Sequence, residues 1–453
     1  GRRSAAIALV AALATVAVAV MCAIQVLAHG TAHVRVGGWG APLGIELRAD
    51  GMAAVLVGAF APVVALTTAS AIGFFPAGRR RTGALTLSFV AWAGLNALLV
   101  SADLFNLYVA LELITLATVG LVSLGGTREA TSAALRYLYV ALLGSLGYLV
   151  GVAFVYGGCA TLDMELAGRR LDPGVVATAA FAMIAAGLSL KSALFPLHAW
   201  LPAAYASAPP PASALLSGAL GKAAFFVVYR AGTDVFPFVL GAGPAQLLGA
   251  QGAAAVLWAS LIALRQQRLK MLIAYSSLAH VGYLFLAFPM TTPLARAGAV
   301  YIAISHAAAS AAMFTAAGTI ERAVGTDSIE GLKGVAQRHP IAFFSLAIGG
   351  VSLMGLPPSG GFVAKWLLVS AAFECGQWWW AVVVLAGGLI AAAYVFRLLR
   401  GAFLPVAPPR VGVVPPRGTE LVSLVLASIV LVLGVAPRWP IALVMQSDDG
   451  AVP

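Results

Sequence analysis

Runs of about 20 predominantly apolar residues recur from one end of this chain to the other, so its folding solvent is the lipid bilayer. Of 453 residues, 61% are hydrophobic and only 9% are charged, and the mean hydropathy is +0.97. A water-soluble protein of this length needs far more charge to cover its surface. Thirteen candidate spans are legible: 5–27, 51–75, 83–101, 103–124, 132–156, 174–195, 212–231, 244–264, 270–289, 294–318, 340–369, 378–400 and 420–443. The expected fold is an all-α polytopic bundle.

The loops test that reading. With the N-terminus on side one and strict alternation, side one holds 17 of the 27 basic residues and side two holds 7. The remaining three, Lys191, Lys222 and Lys365, fall inside or beside spans. A missed span would send every later loop to the wrong face and erode this bias. The excess makes side one cytoplasmic. It places the N-terminus of this chain on the cytoplasmic side of a bacterial inner membrane and the C-terminal Asp448 and Asp449 outside. Ala5 to Leu27 follows two arginines but is longer than a signal-peptide core, so it reads as a span. The chain does not open on Met, which implies an earlier start.

Composition excludes several function classes. The net charge of +11 belongs to short loops and shows no basic run interleaved with aromatics, so nucleic acid is not an expected partner. Cys22, Cys159 and Cys375 are widely spaced, against an iron–sulfur cluster or structural zinc. No phosphate-binding glycine loop is present. Neither a metal nor another cofactor is expected. Residues 34–48 alternate around a Gly-rich turn and read as an outer β-hairpin. Residues 159–172 read as a short interfacial helix.

Two spans are interrupted. One runs through Lys191-Ser-Ala-Leu-Phe-Pro196 to His198-Ala-Trp-Leu-Pro202, and the other through Met354-Gly-Leu-Pro357-Pro358-Ser-Gly-Gly to Lys365. Pro196, Pro357 and Pro358 break the helices, and the freed carbonyls need partners. Each break falls in the fourth helix of a five-helix set, spans three to seven and eight to twelve. An odd repeat length inverts the second set, and paired broken helices point to sites at the midplane. The expected segments are 1–82 (N-terminal helices and hairpin), 83–231 and 244–400 (the repeats), and 401–453 (C-terminal helix and tail).

Glu112 lies roughly 14 Å inside its span at 1.5 Å per residue. Lys222 is mid-span, and Lys191 and Lys365 flank the breaks. Each such charge costs about 2.5–3.5 kcal/mol on the insertion scale, so these groups must be paired, hydrated or neutral. A buried lysine that alternates between a carboxylate partner and an apolar setting changes its proton affinity, which is the physical core of a proton switch. The competing reading is a static Glu112–Lys191 pair that only fixes packing. His280 and His306 also lie within spans and suit a proton relay or a packing role. Tyr275, Ser276, Ser277, Ser305 and Ser310 are able to hold waters between them, although each singly reads as packing polarity. Asp103 and His198 read as solvated caps near membrane edges, and Lys270 as a snorkelling side chain or a proton exit.

These motifs resemble the antiporter-like subunits shared by Mrp cation/proton antiporters, respiratory NADH:quinone oxidoreductase and membrane-bound hydrogenases. The residues are Asp103-Leu-Phe-Asn-Leu-Tyr108-Val-Ala-Leu-Glu112, Lys191 to Pro202, the Ala-Pro-Pro-Pro-Ala-Ser stretch ending at Ser213, and Lys222. They continue with Arg268 through His280 to Tyr283, and Gly355-Leu-Pro-Pro-Ser-Gly-Gly-Phe362. Within the family the chain looks most like the D-type Mrp subunit, through Gly-Trp-Gly-Ala-Pro-Leu-Gly-Ile-Glu-Leu-Arg-Ala-Asp50 and Lys365. The resemblance implies 14 spans, one more than are present, and partner membrane subunits exchanging protons and sodium. It implies Glu112 as switch glutamate, Lys191 as its partner, Lys222 as bridging lysine, His280 and His306 as relay, and Lys365 as outlet. Several subtypes have lysine where Ser310 stands; serine is similar to the quinone-oxidoreductase and hydrogenase subtype. The alternatives are therefore a redox-driven complex, a bicarbonate-uptake complex with a soluble zinc partner, or an inert scaffold.

Overall fold

The computed structural model describes residues 2–404 and 417–446, and Arg410, Asp448 and Asp449 lie outside them. Helix α1 (Arg2–His29) leads to a hairpin of β1 (Ala32–Arg35) and β2 (Glu46–Ala49), then α2 (Gly51–Phe74). The hairpin is antiparallel, with Ala32 opposite Ala49 and Arg35 opposite Glu46. The first repeat holds α3 (Arg79–Val100), α4 (Leu104–Ser123), α5 (Arg128–Cys159), α6 (Met164–Arg170), α7 (Val175–Lys191), α8 (Leu201–Ser207), α9 (Pro210–Gly218) and α10 (Ala223–Arg230). The second holds α11 (Ala242–Arg265), α12 (Leu269–Phe285), α13 (Ala287–Met290), α14 (Pro293–Val324), α15 (Val335–Arg338), α16 (Pro340–Met354), α17 (Gly360–Glu374) and α18 (Trp379–Phe403). Helices α19 (Arg417–Val435) and α20 (Arg438–Gln446) follow.

Eleven helical segments among the described residues are long and apolar enough to cross a bilayer. The spans read at 174–195 and 340–369 are the interrupted ones. Helix α7 stops at Lys191 and helix resumes at Leu201; α16 stops at Met354 and resumes as α17 at Gly360. The connecting segments hold Pro196, Pro357 and Pro358, and the Phe195–Pro196 and Pro357–Pro358 peptides are cis. The interfacial helix read at 159–172 is the seven-residue α6. One expectation needs correction. The span 212–231 is not one helix: α9 ends at Gly218, a 3₁₀ turn covers Leu220–Lys222, and α10 begins at Ala223. There is no proline at this break. Ser-Gly-Ala-Leu-Gly, residues 217–221, supplies the two glycines of low helix propensity.

The repeats superpose in sequence with one offset. Isolated bridges join Asp103 to Asp163 and Arg268 to Ser328, so both partners move by 165 positions (103 to 268, 163 to 328). Helix α5 (128–159) maps onto α14 (293–324) by the same step, as do their N-caps, Thr127 and Thr292, whose hydroxyls accept from the amides of Ala130 and Ala295. The two bridges lie on opposite faces. The Asp103 bridge sits beside the hairpin, where Leu47 bridges to Ser101. The Arg268 bridge shares its face with Lys270–Glu321 and with the contact from Arg322 to the carbonyl of Phe74. That is the inversion the odd helix count requires. Contacts between loops follow the alternation as well: Arg48–Asp234 and Gln246–Gln377 join side-two segments, while Arg268–Asp327 and His339–Glu420 join side-one segments.

Equivalent helices have unequal surroundings. Helix α14 is buried through its apolar length, whereas α5 presents Tyr139, Leu143 and Leu146 outward. In lipid, helices associate through close packing, and small residues permit it. Gly144 of α5 and Gly187 of α7 face each other so closely that a Cβ on either would meet the other's backbone carbonyl. We expect Gly187→Leu to force α5 and α7 apart and cost about 1–3 kcal/mol through overpacking. A fall in melting temperature of the detergent-solubilised protein measures it; an unchanged melt would contradict this packing.

Candidate functional site

Each of the three lysines meets the C-terminal end of an interrupted helix, Lys191 and Lys222 by their place in the chain and Lys365 by its side chain. A helix ends with unpaired carbonyls and a partial negative charge, which suit an ammonium group. Lys191 is the last residue of α7. Lys222 sits just beyond α9, and its Nζ donates to the carbonyls of Ser217 and Gly218, the latter at 3.1 Å. Lys365 reaches back from α17 to the end of α16, donating to Leu353 O at 2.8 Å and Met354 O at 3.1 Å. Gly355 ends α16 at φ 82°, and a Cβ there would strike the Lys365 side chain. The segment after the helix is therefore shaped to let the lysine pass.

Lys191 differs from the other two in having a carboxylate. Its Nζ lies 2.9 Å from Glu112 Oε1 on α4 and 3.0 Å from Thr115 Oγ1, one turn further along. The Glu112 oxygen also accepts from the hydroxyl of Ser145 on α5. The pair is thus a three-helix junction of α4, α5 and α7, with the lysine side chain 5% and the glutamate 18% exposed.

In the second repeat a row of rings takes the place of the ion pair. His280 on α12 stacks on His306 of α14, with ring centroids 4.4 Å apart and 21° between planes. His280 Nδ1 lies 2.8 Å from Ser276 O. On its other side His280 meets the edge of Tyr283 at 5.4 Å, and Lys365 Nζ lies 4.9 Å from the Tyr283 ring centroid. Both ring nitrogens of His306 are buried without a hydrogen-bond partner among the described residues. Lys222 borders α14 as well, lining a small cavity with its Val300 and Ala303, one turn before His306. The structure thus brings His306, His280 and Lys365 into one buried row, with Lys222 beside the same helix, α14.

A family described as NADH:quinone oxidoreductase/Mrp antiporter, transmembrane, matches residues 101–391, a stretch that contains this whole arrangement. The chain belongs to that family. It is 36% identical over 410 residues to NADH-quinone oxidoreductase subunit N of Desulforudis audaxviator, covering 87% of this chain and 80% of the relative. It is 31% identical over 360 residues to the D-type subunit of the Na(+)/H(+) antiporter of Alkalihalophilus pseudofirmus, covering 79% of this chain and 73% of the relative. The fold matches a chain of the Mrp complex from a Dietzia species with a TM-score of 0.90 at 22% identity, over 98% of this chain and 92% of that one.

Other polar residues of this antiporter-like protein stand apart from the row. Asp103 is the N-cap of α4 and accepts from Asn106 N at 2.7 Å. Tyr108 packs on Phe105 at 5.8 Å. His198 stacks on Phe195 in the segment after α7. The Ser310 hydroxyl turns towards its own helix, 3.5 Å from Ala307 O. Lys270 pairs with Glu321 at 3.4 Å beside a side-one cleft of about 770 Å³, which Arg79, Arg80 and Arg322 also line. Thr115, Ser145 and Ser217 contact the lysine sites directly, and no charge or periodicity marks them in the sequence.

Sequence reading also missed a second buried charge cluster. Under the hairpin, Arg230 lies 2.5 Å from Asp50 and 3.1 Å from Asp234, and Arg48 of β2 pairs with Asp234. All four side chains are at least four-fifths buried. Asp50 also caps α2 by accepting from Ala53 N at 2.9 Å. Arg48 and Arg230 carry no cue of pairing because 182 positions separate them. Removing one partner strands the others, so Arg230→Gln should cost about 3 kcal/mol. Thermal unfolding and protease cleavage within residues 36–45 should both reveal it; unchanged behaviour would mean that the cluster does not hold the hairpin.

Proposed function

We propose that this chain is the proton-translocating subunit of a multi-subunit Mrp-type sodium/proton antiporter complex. The observation that carries the reading is the buried row His306–His280–Lys365 with Lys222 beside α14, joined in the same bundle by the Glu112–Lys191 pair. Every member binds or releases a proton, and three of the six are lysines. Ammonium groups repel sodium, so a path lined this way suits protons rather than a second cation.

The first repeat, 83–231, and the second, 244–400, act as half-channels. In the first, Lys191 moves between Glu112, with its hydroxyl partners Thr115 and Ser145, and the apolar bundle. Leaving the carboxylate removes the partner that favours the charged amine, and returning restores it. Lys222 links the halves, the histidines carry protons through α12 and α14, and Lys365 delivers them at the second break. These groups titrate as a coupled set. Lys270, Glu321 and the side-one cleft provide an aqueous approach from the cytoplasm, and Asp103, Tyr108, His198 and Ser310 have supporting roles. The protein sits in a bacterial inner membrane with its N-terminus inside.

Two observations favour a second reading, a proton-pumping subunit of a redox-driven quinone oxidoreductase or hydrogenase. They are the 36% identity to a quinone-oxidoreductase subunit and the serine at position 310. In that setting electrons pass through partner subunits. Co-purified subunits separate the readings: small hydrophobic antiporter subunits support the first, and iron–sulfur proteins support the second.

In vesicles holding the reconstituted complex, Lys191→Ala and Glu112→Gln should each lower proton transport at least about a hundredfold, equivalent to about 2.7 kcal/mol on the barrier. Wild-type transport by either variant would sink the proposal.

A further inference from the structure

We propose that Ser277 is a positioning residue for Lys222, and that the Ser217–Ser277 hydrogen bond is the joint through which the second repeat holds the lysine of the first. This rests on the proton-transport reading above.

Ser277 lies on α12, three residues before His280, and is 3% exposed. Its hydroxyl donates to Ile273 O at 2.8 Å. Its oxygen also lies 2.8 Å from Ser217 Oγ. With the Ser277 proton committed to its own helix, Ser217 is the donor in that contact. Ser217 is the penultimate residue of α9, and its carbonyl accepts from Lys222 Nζ. A side chain of the second repeat therefore grips the residue whose backbone holds the lysine of the first.

The repeat offset points independently to the same position. Ser277 is Glu112 moved by 165, and Glu112 is the residue that grips Lys191. By the same step Thr115 becomes His280 and Ser145 becomes Ser310. The same helix position, in the first repeat and again in the second, thus addresses a lysine at an interrupted helix of the first repeat. In the first repeat it does so directly, through a charge. In the second it acts through a neutral hydroxyl and the end of α9.

The difference has a mechanical consequence. A carboxylate at 277 would give Lys222 a counter-ion and compete with its approach to His306. The hydroxyl pair instead fixes the carbonyls of Ser217 and Gly218 relative to α12, the helix that carries His280. Lys222 then leaves and returns to a fixed cradle. Without the bond the cradle is free to drift from the histidines.

The test uses the complete complex in vesicles, with rates normalised to assembled complex. Ser277→Ala and Ser217→Ala should each slow proton transport roughly five- to tenfold, as expected for loss of one buried hydrogen bond at a rate-setting step. Each should also change the pH profile of transport. Because both variants break the same bond, the double variant should be no slower than either single one. Ser277→Thr keeps the hydroxyl and should keep most of the rate. Ser423→Ala removes another buried serine pair, 3.1 Å to Ser345, and should leave rate and profile unchanged. If Ser277→Ala does not assemble, Ser217→Ala reads the same bond from its other end. A wild-type rate and pH profile for the alanine variants, additive losses in the double, or a threonine as slow as alanine would overturn the proposal. Glu112→Gln and Lys191→Ala run alongside: their normal transport defeats the function reading itself, whereas their inactivity beside a normal Ser277→Ala defeats only this inference.

Discussion

An ammonium group inside a bilayer must find acceptors, and this fold provides them by stopping helices short. Uninterrupted helices have no carbonyls to spare in the membrane interior. Each break supplies several, together with the negative end of a helix dipole. Lys222 and Lys365 take backbone carbonyls at such ends, and Lys191, itself the last residue of α7, takes Glu112 and Thr115. The breaks and the lysines therefore belong to one arrangement. An unbroken α16 would leave Lys365 without acceptors, and without Lys365 the end of α16 would hold unpaired carbonyls.

The inverted repeat then determines what lies between the lysines. Two copies of one five-helix plan, offset by 165 positions, present the same helix positions to the middle of the bundle from opposite faces. Chemistry has diverged at those positions. The first copy holds a carboxylate, a threonine and a serine; the second holds a serine, a histidine and a serine. The extra ring of the second copy, His306, lies where the first has Ala141. Helix α14 is buried and central while α5 lies partly at the surface of this chain, so the stacked histidine pair is enclosed by protein on the second copy's helix. One half thus holds a charge pair and the other a stacked histidine pair.

The charge cluster under the hairpin has a different character. Two arginines and two aspartates compensate each other and cap α2, so the hairpin is tied to the end of α10 without net charge. Lys222 immediately precedes the far end of α10, as its N-cap residue. One short helix therefore spans from the lysine cradle to the hairpin, and the two ends are held by different chemistry.

The amino-acid sequence by itself determined the solvent, the helical bundle, the alternation of its loops between faces, the two proline breaks and the identity of the buried charges. These are local properties: hydropathy over about 20 residues, a proline's missing donor and the cost of a lone charge each act on a short stretch of chain. The break at Lys222 escaped that reading because glycine weakens a helix by only about 1 kcal/mol. There the break is made where an ammonium takes the carbonyls that a continuous helix would have used. Only the tertiary structure decided which charges meet. His280 stacks on His306, Ser277 reaches Ser217, and Arg230 finds Asp50 across helices that are distant in sequence. Packing of small residues brings those helices together, and no periodicity along one strand of sequence records the face a neighbour will offer.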